Sequence, residues 1–177
     1  MKFHETELQG AYLIDIEKRE DERGFFARTW CEKEFKDHGL VARAVQANTS
    51  FNAKAGTLRG MHYQLAPYQE SKLVRCTRGA LYDVIVDLRP DSPTCKRWIG
   101  VELTASNYRM LYMPTDFAHG FITLVDNTEV AYLISESYRP GAGGGLRWDD
   151  PQFNIEWPRR VEVISDQDAG WPDFVEY

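Results

Sequence analysis

Turn signals cut this chain into short lengths and leave almost no room for helices. Lys54-Ala55-Gly56, Arg78-Gly79, Arg89-Pro90-Asp91-Ser92-Pro93 and Asp126-Asn127 separate a series of short apolar-patterned runs. Ala11–Ile16, Ala44–Phe51, Arg59–Gln64, Lys72–Cys76, Ala80–Leu88, Trp98–Leu103, Tyr108–Met113, Gly120–Leu124 and Glu129–Ser135 read as strands. A single stretch, Glu32 to His38, reads as a helix and is stopped by Gly39. Many short strands at fairly regular spacing predict an all-β sandwich or barrel. No repeat, low-complexity tract or linker divides the 177 residues, so the expectation is a single domain over 1–177 with a sizeable core.

A net charge of −6 argues against a nucleic-acid partner, although a local basic pocket can still hold a phosphorylated small molecule. No run approaches the roughly 18 apolar residues of a membrane span. The start, Met1-Lys2-Phe3-His4-Glu5-Thr6-Glu7, lacks a signal peptide's apolar core, so the expected location is cytoplasmic. Cys31, Cys76 and Cys95 form no CxxC pair, so neither a zinc site nor a disulfide framework is indicated.

The alternation within the strands carries functional information. Gln46, Asn48, Ser50 and Asn52 fall on one face, with Val45, Ala47, Thr49 and Phe51 on the other. An exposed outer strand would give the same pattern. The neighbouring runs decide for a cavity: His62 and Gln64 share a face, and so do Lys72, Val74 and Cys76. A barrel lined by glutamine, asparagine, serine, histidine and lysine is better suited to a polar ligand than to a core. His62 lies between Arg59 and Lys72, and nearby cations favour the neutral imidazole that a general base near pH 7 requires. Lys72 can stabilise a developing oxyanion or hold a phosphate. Arg59 and Arg23 can each fork onto phosphate oxygens, or form surface ion pairs. Tyr132 shares a face with Val130 and Ile134 and reads either as core or as a proton donor. Asp168 sits in a polar tail and reaches a histidine only if the fold brings it there. Gly141 to Gly145 reads as a flexible hairpin loop. The rival use of the histidines is a metal site. Such barrels build one from two His one residue apart, a Glu and a distant His. Here Gln64 takes the second His position, Glu70 lies beyond the usual spacing and only His119 remains, so no metal is expected.

Taken together, these residues resemble the dTDP-4-dehydrorhamnose 3,5-epimerase family of the cupin superfamily. The matching stretches include Asp21-Glu22-Arg23-Gly24-Phe25-Phe26, Gln46-Ala47-Asn48-Thr49-Ser50, Gly56 through Gln64, Lys72-Leu73-Val74-Arg75, Phe117-Ala118-His119-Gly120-Phe121, Trp148-Asp149-Asp150-Pro151 and Trp157-Pro158. The resemblance implies a cupin-type β jelly roll with one or two short helices. It also implies an isomerase that inverts C3 and C5 of a nucleoside-diphosphate 4-keto-6-deoxyhexose by general acid/base catalysis. His62 matches the base, Asp168 the carboxylate that supports it, Tyr132 the proton-delivering phenol and Lys72 the cation at the enolate oxygen. Arg23, Gln46, Asn48, Arg59 and His119 match substrate contacts, and Tyr138 the aromatic packed on the nucleotide base. The family needs no metal or organic cofactor and pairs as homodimers. Three positions depart from it: Arg28 and Gly143 stand where glutamates are common, and Gln167 replaces a lysine. A mono-epimerase, a keto-isomerase, an enzyme for a CDP- or GDP-linked sugar, or a non-catalytic sugar-nucleotide binder are the alternatives these departures leave open.

Overall fold

The computed structural model describes residues 1–175. Its strands are β1 (Lys2–Glu5), β2 (Tyr12–Asp15), β3 (Arg19–Asp21), β4 (Gly24–Phe26), β5 (Gln46–Asn52), β6 (Leu58–Gln64), β7 (Lys72–Arg78), β8 (Ala80–Asp87), β9 (Trp98–Thr104), β10 (Met110–Met113), β11 (Phe117–Thr123), β12 (Thr128–Ile134) and β13 (Gly143–Gly145). Two short helices, α1 (Glu32–Asp37) and α2 (Asp166–Ala169), complete the elements. One sheet runs β1-β2-β10-β7-β12-β5 and the other β13-β6-β11-β8-β9, with every pairing antiparallel. Stacked face to face, they form the expected jelly roll. β3 and β4 make a separate exposed hairpin.

Period-2 alternation sorts the side chains into layers. Val74, Cys76, Leu81, Ile85, Leu103, Leu111, Met113, Phe117, Phe121 and Val130 fill the space between the sheets. Their outward neighbours are covered as well. Met61, Val84, Val86 and Ala118 pack under Leu146, Phe153 and Ile155 of the C-terminal segment. Ile14, Leu73, Met110 and Tyr112 pack under Phe35 of α1. β8 and β11 are thus covered on both faces, which is why they read as nearly continuous apolar runs.

The structure differs from the sequence reading in a few places. β11 begins at Phe117 rather than Gly120, directly after a turn in which Asp116 has φ 62°. β1 and the β3–β4 hairpin are too short for periodicity to reveal. Gly143–Gly145 is not a flexible loop but an edge strand on β6, with Gly143 opposite Gln64 and Gly145 opposite His62. Side chains lie where its own would have been: a Cβ on Gly144 would sit 2.6 Å from the Tyr63 ring, and one on Gly145 2.3 Å from Trp171. The glycines let two aromatics close over a bare ribbon.

Candidate active site

One end of the sandwich is not filled by apolar side chains and holds a cavity of about 610 Å³, within the range of small-molecule sites. β6 contributes Arg59 and His62 to it, although residues three apart on a regular strand point to opposite faces. A β-bulge reconciles them. His119 pairs with His62 and Phe121 with Arg59, so the single residue Gly120 faces both Gly60 and Met61. The extra residue resets the phase and brings Arg59, His62 and Gln64 onto the interior face, while Met61 turns outward into the apolar layer. Gly60 (φ 135°) and Gly120 permit this close approach: a Cβ on Gly60 would lie 2.5 Å from the Gly120 Cα.

Two histidines each hold a carboxylate. His62 Nε2 lies 2.6 Å from Asp168 Oδ1, and the other Asp168 oxygen accepts the Gly60 N–H at 3.3 Å. α2 places that carboxylate: Ser165 caps the helix by accepting the Asp168 N–H at 3.1 Å. Burial alone would raise the Asp168 carboxyl, but the bonds from His62 and Gly60 outweigh it and hold the group below its ordinary value. An ionised carboxylate only accepts, so the neutral imidazole carries its proton on Nε2 and leaves Nδ1 basic. His119 Nε2 lies 2.6 Å from Asp83 Oδ1, and this pair is almost wholly buried. Each ring is committed to its own carboxylate, and among the described residues no cluster of His, Cys, Asp and Glu is arranged to hold a metal.

The opposing sheet supplies the other groups. Lys72 Nζ lies 3.0 Å from Glu70 Oε1, and the second Glu70 oxygen accepts Gln64 Nε2 at 2.9 Å. Tyr132 projects from β12 and packs edge-on against His119. Burial pushes its phenol up to about 12, with Ser50 and the Arg59 charge pulling the other way, so the hydroxyl keeps its proton at neutral pH. Asn48 and Ser50 of β5 line the wall. Gln46 accepts the backbone N–H of Tyr138, whose exposed ring stands at the rim.

The fold therefore gathers His62, Asp168, Lys72, Tyr132, Asn48, Arg59, His119 and Tyr138 around one cavity. It does not bring Arg23 there, and Gln46 stands outside the lining residues, behind Tyr138. The Arg23 side chain is 85% exposed on the β3–β4 hairpin, paired with Asp21. Of the three departures, Gly143 and Gln167 line the cavity, whereas Arg28 bonds Glu34 of α1. Sequence reasoning missed four residues. Glu70, weighed only as a metal ligand, steadies Lys72. Asp83 was legible as one of two acids, with Asp87, in the apolar run Ala80–Leu88. Asn52 falls on the polar face of its strand but received no role, and Trp171 gave no signal, yet Trp171 walls the cavity and stands edge-on to His62 with ring centres 6.3 Å apart.

The family model described as dTDP-4-dehydrorhamnose 3,5-epimerase matches residues 5–176. The dTDP-4-dehydrorhamnose 3,5-epimerase of Sinorhizobium fredii is 41% identical over 177 residues, which span 99% of this chain and 91% of that one. The crystal structure of the Bacillus anthracis enzyme of that name, with TDP and PPi bound, superposes with a TM-score of 0.94 at 42% identity, covering 98% of this chain and 99% of that one. A Legionella pneumophila dTDP-6-deoxy-D-glucose-3,5-epimerase in complex with dTDP-4-keto-L-rhamnose gives 0.90 at 35% identity, covering 97% and 92%.

Proposed function

The chain belongs to the dTDP-4-dehydrorhamnose 3,5-epimerase family, and we propose that it inverts C3 and C5 of a dTDP-linked 4-keto-6-deoxyhexose. The observation that carries this reading is the His62–Asp168 pair on one sheet and the Tyr132 phenol on the other, lining one cavity. A 4-keto group acidifies the C–H bonds on either side of it. His62 Nδ1 takes the proton from C3 or C5, and Asp168 steadies the imidazolium. The electron pair moves onto the carbonyl oxygen, where Lys72 meets the enolate charge. Tyr132 returns a proton from the opposite face, which inverts the centre. The phenolate then regains its proton from solvent as His62 releases its own. Each proton transfer typically contributes about 10²–10⁴-fold, and none needs a redox cofactor or a metal. Arg59, Asn48, Gln46 and His119 hold the substrate, and Tyr138 packs on the base.

The working unit is a homodimer. The support is Arg23: it stands in a family motif for substrate contact, yet lies on an exposed hairpin outside its own chain's cavity. We assign that hairpin to the cavity of the second copy.

Proton NMR of dTDP-4-keto-6-deoxyglucose in deuterium oxide tests the reading. Loss of both the C3 and C5 signals is expected with the wild-type protein, and neither is lost with His62→Ala. Loss of one signal would make it a mono-epimerase. The bare Gly143 and uncharged Gln167 in the cavity wall favour trying CDP- and GDP-linked sugars alongside. A folded protein that exchanges no hydrogen on any of them is not an epimerase.

A further inference from the structure

Asn52 is 2% exposed, while Arg59, the residue it holds, is exposed. Burying an amide is favourable only when its polar atoms find partners. Asn52 Nδ2 donates to the Thr128 carbonyl at 3.2 Å and to the Ser50 hydroxyl and carbonyl at 3.3 and 3.4 Å. Its one remaining oxygen accepts Arg59 Nε–H at 2.8 Å. The amide is thus fixed to β5 and β12 and presents a single acceptor to an arginine on the other sheet. No carboxylate shares Arg59 among the hydrogen bonds and ion pairs that the described residues form around it. An exposed arginine otherwise samples many rotamers, and ordering it on binding costs side-chain entropy.

We propose that Asn52 is a positioning residue for anion recognition: by taking the Nε–H of Arg59 it holds the guanidinium ready, uncancelled by any negative charge, with both terminal nitrogens left for a diphosphate. A neutral amide suits this task better than an aspartate, which would neutralise the charge the ligand needs. The inference rests on the dTDP-sugar reading for the identity of the anion.

The test is a double-mutant cycle on dTDP binding, measured by titration calorimetry with wild type, Asn52→Ala, Arg59→Ala and the double variant. Asn52→Ala is expected to weaken dTDP about tenfold, equivalent to about 1.4 kcal/mol. It should raise KM for the sugar nucleotide by a similar factor with kcat nearly unchanged. In the Arg59→Ala background the same substitution should change neither. An equal loss in both backgrounds would show that Asn52 acts by bracing β5 against β12 instead, and would overturn the proposal. So would a kcat loss with KM unchanged. Asn52→Ser, which keeps a short polar group but falls short of Arg59, repeats the cycle if the alanine variant does not fold. Binding of dTDP and hydrogen exchange are separate readouts. A protein that binds dTDP with the predicted coupling but exchanges no hydrogen would sink the epimerase reading alone.

Discussion

Tyr132 and Asp87 illustrate how burial serves different ends at single residues. The Tyr132 phenol is pushed up to about 12, so it is protonated at neutral pH, as the proposed role of proton donor requires. Tyr132→Phe should therefore keep solvent exchange of at least one hydrogen while net inversion falls by about 10²-fold or more, read by NMR and by product analysis. Equal loss of both would make Tyr132 a positioning residue. Asp87 is fully buried and accepts from Arg89 Nε, the Ser92 hydroxyl and the Thr94 hydroxyl at 2.8, 2.6 and 2.6 Å. Burial raises its carboxyl, but these donors outweigh it, so the folded value lies below the ordinary 3.8. Its contribution is then complete above the unfolded value and disappears as pH falls through the depressed folded one. Asp87→Asn should cost about 2–4 kcal/mol at pH 7, and the gap to wild type should narrow below about pH 4, measured by denaturant unfolding across pH. The residue types of the site were legible in the sequence, because chemistry such as a histidine between two cations shows in a string. Their partners did not show in spacing: only the family resemblance matches Asp168 to His62, and nothing matches Asp83 to a histidine. Asp168 reaches His62 across 106 positions of sequence, and His119 reaches Asp83 across 36.

At the scale of elements, alternation was a good guide wherever the ladder is regular. β5, β7 and β12 present the faces that period 2 predicts, and the helix at Glu32 ends one residue from its expected limit. Alternation fails where the backbone departs from the ladder. The bulge in β6 cannot be read from Leu58-Arg59-Gly60-Met61-His62, because it depends on Gly120 lying alongside. The edge strand β13 was hidden in a glycine run that normally signals a loop. Gly60→Ala should collapse the bulge. Its new Cβ would meet Gly120 Cα and the His119 carbonyl, at a φ that side chains rarely adopt. The expected result is a loss of roughly 2–4 kcal/mol in thermal or denaturant unfolding, with both dTDP binding and turnover reduced in whatever remains folded.

At the scale of the whole molecule, the exposed hairpin makes the proposed dimer testable by complementation. Arg23→Ala chains lack the contact and His62→Ala chains lack the base. If each hairpin serves the other copy, a mixed dimer contains one site with both defects and one with neither. Unfolding and refolding an equimolar mixture should then restore about a quarter of wild-type turnover, since random pairing makes about half the dimers mixed. If Arg23 serves its own chain, the mixture will show only the mean of its parents. The sandwich also separates the groups to which the proposed mechanism assigns the chemistry: His62 and Asp168 are anchored on β6 and α2, Tyr132 and Lys72 on the facing sheet. The span between proton acceptor and proton donor is therefore a dimension of the whole sandwich, set by how tightly its two halves clasp. Mild heat or dilute denaturant that lets the halves breathe lengthens that span while leaving each half intact. Under such conditions the first function to fade is stereochemical: label washes in from solvent, and the sugar emerges with its old handedness.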